Sequence, residues 1–398
     1  MPGIEVVLAL LLAVAMLATL ASRVGVPYPI LLVLGGLVLG FVPGLPRVEL
    51  DPDLVFLIFL PPLLYVSALF TSWRDFRANL RPISLLAVGL VIFTTCIVAV
   101  VAHAAIEDLT WAAAFTLGAI VSPTDAIAAT AIAQRLGVPR RVVTVLEGES
   151  LVNDATGIVA YRIAAAAVTA GTFSIWQAGL SFIAGSIGGI VIGLAAGWAV
   201  IRLRRSLSPD PSVQNTISLL TPFLAYLPAE ELPTYVWEEL ALPGELHFSG
   251  VLAVVVAGLY LGRRGASIIP SSTRLQGYAV WELISFLLNG AVFILIGLQL
   301  RNIVDGLSEY SMIELSLYAG LISLTVVIVR ILWVFPATYL PRVLSRCIRE
   351  YDPPPPGRPS PSYPGPGCAA SSPSPRPSPF RSPLIRARRS RDAISSSS

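Results

Sequence analysis

The sequence predicts an all-α, polytopic membrane protein. Of its 398 residues, 55% are hydrophobic and 13% charged, where a soluble domain carries about 25% charged residues. Mean hydropathy is +0.76. The apolar residues fall into runs close to the ~20 residues that a helix needs to cross a bilayer. All 27 basic residues are arginine, and sixteen of them follow alternate runs.

Eleven candidate spans lie near 4–22, 28–44, 54–71, 82–104, 111–134, 142–169, 175–203, 213–228, 247–262, 278–300 and 312–340. The first lacks a positive leader and a small-residue cleavage site, so it reads as a span and not as a signal peptide. Connections after odd-numbered spans carry Arg23, the Arg74–Arg81 group, Arg135 to Arg141, Arg202 to Arg205, Arg263 to Arg274 and Arg342 to Arg349. Connections after even-numbered spans hold only Arg47 and Arg301 among many acids. The positive-inside rule then puts the N-terminus outside and the C-terminal tail in the cytoplasm.

Two segments depart from this pattern. Residues 229–246 are acidic and aromatic and are expected to form a long external loop, with a short interfacial helix. From Tyr351 onward the chain is rich in Pro, Ser and Arg, cannot bury a core, and is expected to be disordered. The predicted organisation is a transmembrane domain over 1–345 and a tail over 351–398.

The three cysteines, Cys96, Cys347 and Cys368, and the two histidines, His103 and His247, are scattered. They make neither a disulfide framework nor a Cys/His metal cluster. No cofactor and no nucleic-acid partner is expected. The net charge of +3 is uninformative beside its distribution.

Chemistry concentrates in spans five, six and eleven. In span five, Pro123 within Ser122-Pro-Thr-Asp125 removes a backbone donor and should open the helix. Broken helices at membrane depth line cavities, and their freed carbonyls bind ions. The plainer reading is a proline kink, with Asp125 capping the second half-helix. Span six holds Glu147-Gly-Glu149-Ser150-Leu-Val-Asn153-Asp154. Ionised groups at such depth cost at least ~2.5–3.5 kcal/mol on insertion scales, so they are rarely idle. Ser150 and Asp154 share a helix face. Glu147 is close enough to Arg140 and Arg141 to be a solvated pair. Arg162 reads as a residue snorkelling at the outer end. Arg330 in span eleven is costly alone and should pair with a carboxylate such as Glu149. Glu282 and His247, at span ends, read as interfacial.

One carboxylate can hold a proton or a small hard cation, not both. Oxygen ligands suit such a cation: the Asp154 and Asp125 carboxylates, the Ser150 hydroxyl and the Thr124 carbonyl. Competition for one site exposed alternately to the two sides makes a cation/proton exchanger. A second reading, an intramembrane aspartyl protease using Asp125 and Asp154, is disfavoured by their Thr-Asp and Asn-Asp contexts. A channel or receptor without pH coupling is a third.

These residues resemble the monovalent cation/proton antiporter family that includes eukaryotic Na+/H+ exchangers and bacterial NhaP-type antiporters. The resemblance rests on Phe59-Leu-Pro-Pro-Leu-Leu, Ser122-Pro-Thr-Asp-Ala, Gly148-Glu-Ser-Leu-Val-Asn-Asp-Ala, Phe293-Ile-Leu-Ile-Gly-Leu-Gln-Leu and Val329-Arg-Ile-Leu, over roughly 5–345. It implies an inverted-repeat antiporter fold with two crossed broken helices, thirteen spans and an outside N-terminus. It implies a plasma-membrane exchanger of Na+, Li+ or K+ for H+ that regulates pH, surrounded by lipid and working as a homodimer through elevator-like movement. The ion-binding Asp falls on Asp154, with Asp125, Ser150 and the backbone of Thr124 as further ligands. Asn153 goes with electroneutral exchange, and the structural ion pair falls on Glu149 and Arg330. In the family two more spans follow the arginine, including the second broken helix. Here the Pro-rich segment stands in their place, so a truncated, non-transporting homologue is the alternative expectation.

Overall fold

The computed structural model describes residues 2–41, 52–124, 138, 140–170, 175–207, 210–239, 248–265, 268–306 and 311–344. These residues are helical apart from short turns, and no strand occurs among them. The helices are α1 (Pro2–Val24), α2 (Tyr28–Gly40), α3 (Pro52–Phe70) and the short α4 (Trp73–Ala78). Next come α5 (Leu80–Ala105), α6 (Trp111–Val121), α7 (Arg140–Ala170) and α8 (Ile175–Ser206). They are followed by α9 (Pro211–Glu239), α10 (Gly250–Gly265), α11 (Ser271–Gly306) and α12 (Met312–Leu344). By length and composition α5, α7, α8, α11 and α12 can each cross a membrane on their own. Every predicted span meets one of these helices.

The surface confirms what kind of solvent the fold expects. Leu12, Met16, Trp176, Ile187, Leu317 and Leu324 are all more than half exposed, an arrangement that suits hydrocarbon better than water. Inside, a large apolar cluster joins α3, α8, α9, α10 and α11 around Tyr65, Val254, Val255 and Trp281. A second, around Val14, Leu32 and Ile294, joins α1, α2 and α11. The last two cross tightly because Gly36 and Gly297 let the backbones touch: a Cβ on Gly36 would lie 2.2 Å from the Ile294 carbonyl oxygen. Small residues bring membrane helices together in this way.

Helix α7 stands between two groups. One side packs against α5 and α6, and the other touches α3, α8 and α10. Leu151 and Ala155 of α7 belong to the large cluster. Thus the polar stretch of span six is held from both sides.

Residues 229–246 differ from expectation. Helix α9 runs unbroken through Glu239, and 240–247 lie outside the described residues. The acids suggested a loop, but Glu230 turns inward, as described below. Contacts divide the chain into Met1–Thr338 and Tyr339–Ser398. Of the second unit only 339–344, the end of α12, are among the described residues.

Candidate ion-binding site

Helix α6 begins with Thr110 as its cap, the side-chain oxygen accepting from Ala113 N at 3.3 Å. It ends at Val121, and Ser122, Pro123 and Thr124 are not helical. The proline ring and its missing donor account for the stop. The predicted opening is therefore present at its leading edge. Asp125 and the rest of span five lie outside the described residues. Pro123 packs against Gly157 of α7, where a Cβ would come within 2.2 Å of the proline Cγ. Only glycine admits that approach.

Across from the break, α7 presents Glu149 and Asn153, one turn apart and buried. Arg330 reaches in from α12. Its Nη2 donates to Glu149 Oε1 at 2.6 Å and its Nη1 donates to Thr124 Oγ1 at 3.0 Å. The Glu149 side chain is 3% exposed and that of Arg330 33%. This is a charge-assisted pair between helices 181 residues apart, and it is the pair expected from burial alone.

Thr124 is the hub. Its hydroxyl accepts from Arg330 and, at 3.3 Å, from Asn153 Nδ2, and donates to Glu149 Oε1 at 3.4 Å. Both hydroxyl lone pairs are thus engaged. The Thr124 carbonyl accepts from Asn153 Nδ2 at 3.1 Å, and no second donor to it occurs among the described residues. Asn153 is 1% exposed, and its buried Oδ1 has no donor among the described residues. A buried acceptor left unmade costs about 1–3 kcal/mol. Two oxygens of this cluster thus keep acceptor capacity that a cation or a water could use.

Ser150 and Asp154 are half-buried on the same α7 helix, next in sequence to Glu149 and Asn153 respectively. The structure therefore gathers Thr124, Glu149, Asn153 and Arg330 by direct contact, and places Ser150 and Asp154 beside them.

Glu147 lines a cavity of about 450 Å³ with Asp75, Thr144 and Arg140, and Arg141 Nε donates to Asn79 Oδ1 at 3.1 Å. One reading of a charged residue changes. Arg162 does not snorkel. Its Nη1 donates to Glu230 Oε2 of α9, and its Nη2 donates to Tyr226 OH at 3.4 Å. Glu230 Oε1 also accepts from Gly250 N, at 3.3 Å, in the first turn of α10.

Several supporting residues carry no signal in sequence. Thr95 Oγ1 donates to Ser122 Oγ at 3.1 Å, fixing the end of α6 to α5. Within α5, Leu85–Leu90 form a π-helical turn. Wide turns of this kind loosen the carbonyl ladder, and the Leu85 carbonyl accepts from Trp333 Nε1 at 3.0 Å. Trp333 also lies over Gly89 and against Phe93, with ring centroids 4.9 Å apart. It stands three residues after Arg330, so it anchors the turn of α12 that delivers the guanidinium.

Comparison with known proteins agrees with this architecture. The family described as sodium/hydrogen exchanger, transmembrane, matches residues 8–348. The chain is 37% identical over 352 residues to an uncharacterized Na+/H+ exchanger of Mycobacterium tuberculosis, covering 87% of this chain and 61% of that protein. It is 35% identical to a sodium, potassium, lithium and rubidium/H+ antiporter of Bacillus pumilus, covering 83% of this chain and 49% of that one. The chain thus spans between about half and three fifths of the length of these relatives. The sodium proton antiporter MjNhaP1 of Methanocaldococcus jannaschii shares the fold with a TM-score of 0.59 at 21% identity, over 74% of this chain and 69% of its own. The transmembrane helices that bring the end of α6 against Glu149, Asn153 and Arg330 are those of the sodium/hydrogen exchanger family, and this chain belongs to it.

Proposed function

We propose that the chain is a secondary transporter exchanging Na+, with Li+ and K+ as further candidate substrates, for H+ across the plasma membrane. Residues 1–345 form the exchange domain, with the N-terminus outside, and 351–398 form a cytoplasmic tail. Asp154 carries either the proton or the cation. Ser150 Oγ, the Asp125 carboxylate and the Thr124 carbonyl complete an oxygen shell of the kind hard cations prefer. The Thr124 hydroxyl is excluded from that shell because Arg330, Asn153 and Glu149 already use it.

The observation that carries this reading is the Glu149–Arg330 pair closed on the break. The two charges cancel at membrane depth, and with Asn153 they hold the Thr124 end of the opened helix. In this reading the pair carries fixed structural charge and Asp154 the exchangeable charge. An amide at Asn153 adds no second charge next to it, which fits one-for-one electroneutral exchange. The cavity lined by Glu147 and Asp75 opens one turn before Ser150 on the side of the arginine loops and serves as the cytoplasmic entrance. Alternating exposure comes from movement of α5, α6, α7 and α12 against the remaining helices in a homodimer.

Everted membrane vesicles loaded with a pH-sensitive dye test the proposal. Addition of Na+, Li+ or K+ to vesicles carrying the full chain should restore fluorescence, and Asp154→Asn should abolish the response. The cation concentration for half-maximal response should rise about tenfold per pH unit as pH falls, because one proton displaces one cation. Transport that survives Asp154→Asn would overturn the site, and no response to any of the three cations would overturn the function.

A further inference from the structure

A second polar centre lies away from the Asp154 region, where the end of α8, the starts of α9 and α11 and the ends of α3 and α10 converge. They enclose a cavity of about 90 Å³, several times the roughly 10–15 Å³ that one water needs. Arg204, from the last turn of α8, lines it and is only 8% exposed. Its Nε and Nη2 are buried and have no hydrogen-bond partner among the described residues. Arg274, from the first turn of α11, also lines the cavity, and its buried Nε has no partner.

Three other polar residues of the lining hold the helices. Gln214 Nε2 donates to the Arg204 carbonyl at 3.2 Å, and Trp281 Nε1 donates to Ser218 Oγ at 3.0 Å. No carboxylate is among the lining residues. Asp210, at the start of α9, lies outside the lining, and its Oδ1 accepts from Ser212 N at 2.7 Å.

A buried guanidinium with unmade bonds is among the costliest arrangements in a protein. Two of them beside one cavity, with no acid among the described residues of its wall, favour an anion there. The planar fork of arginine matches phosphate, offering two parallel donors. The N–H groups that begin α11 add positive potential at the same end. Arg202, Arg205, Arg263 and Arg264 lie on the same ends of α8 and α10, which is the side that anionic headgroups and soluble phosphates both reach.

We propose that Arg204 and Arg274 form a binding site for a phosphate group, supplied by an anionic lipid headgroup or by free phosphate. The site is independent of the exchange chemistry and holds whether or not Asp154 transports an ion. Its occupant would tie α8, α9 and α11 together at one membrane face.

Thermal unfolding of the purified full chain in detergent, followed by tryptophan fluorescence, tests this. The probes are phosphatidylglycerol, diacylglycerol with the same acyl chains, and inorganic phosphate against chloride at equal ionic strength. Phosphatidylglycerol should raise the unfolding temperature and diacylglycerol should not. A matching rise with inorganic phosphate assigns the site to a free anion, and a rise with the lipid alone assigns it to a headgroup. Arg204→Gln should remove the response, and Arg274→Gln should weaken apparent affinity about tenfold or more. Should Arg204→Gln fail to fold, the half-buried Arg274 carries the test alone. No rise with either phosphate source, an equal rise with diacylglycerol, or a full response in the Arg274→Gln chain would overturn the proposal.

Discussion

The Glu149–Arg330 pair makes an asymmetric prediction. Removing one partner of a buried pair typically costs about 3–5 kcal/mol, because the other charge is left uncompensated. The two partners here are not equally buried, however. Glu149 is 3% exposed, and among the described residues the hydrogen bond that remains to it without Arg330 is the long 3.4 Å one from Thr124. Arg330 is 33% exposed and would keep its 3.0 Å bond to Thr124 if Glu149 were lost. Arg330→Met should therefore cost about 3–5 kcal/mol, and Glu149→Gln about 1.5–3 kcal/mol, the range of a lost charged hydrogen bond. The double variant should be less damaged than Arg330→Met alone, since a neutral glutamine asks for no counter-charge. The assay is reversible unfolding in mixed micelles titrated with dodecyl sulfate, run as a double-mutant cycle. If Glu149→Gln proves the more harmful single change, or if the two losses simply add, the pair does not hold the break as described.

Two further perturbations follow from contacts that sequence did not reveal. Gly157→Val places its side chain into Pro123, whose Cγ would lie 2.2 Å from a bare Cβ; overpacking of this kind costs typically about 1–3 kcal/mol. It should depress cation-driven dequenching more than it depresses the amount of folded protein, and equal loss of both would sink the claim that it acts on the break. Arg162→Met should lower stability in the same micelle titration, and Arg162→Met combined with Glu230→Gln should recover part of that loss. No recovery would mean that the Arg162–Glu230 contact is incidental.

How much of this was legible depends on the distance over which each interaction acts. Span positions follow from local hydropathy, and each predicted run carries a helix. The break at Pro123 is also local, since one residue lacks a donor and restricts its neighbour. The Glu149–Arg330 pair acts across 181 residues and was still readable, because each charge sits in an apolar run and neither is tolerable there alone. Arg162 is the instructive contrast. Its partner Glu230 lies in a stretch so acidic that it suggested an external loop, and the arginine then looked like a residue reaching for water. A charge in apolar surroundings announces its need for a partner, but a charge among other charges does not. Trp333, Thr95 and Gly157 are apolar or small, and their roles exist only in the packed geometry.

The two intramembrane pairs also divide the labour along α7. Glu149 and Arg162 are thirteen positions apart, or about 20 Å at 1.5 Å per residue, and Asp154 lies between them. The first pair ties α7 to α12 and to the open end of α6. The second ties α7 to α9 and to the first turn of α10, helices of the large apolar cluster. Any motion that exposes Asp154 to opposite sides must treat these ties differently. If α5, α6, α7 and α12 move as one body, the Glu149–Arg330 pair travels with the site and is never broken. The Arg162–Glu230 pair then spans the sliding boundary and has to be remade in each cycle. It is also the wetter arginine contact, with Arg162 39% exposed, so water can replace Glu230 at lower cost than at Glu149. The burial of each pair suits that proposed motion: the drier one would travel with the site, and the wetter one would open.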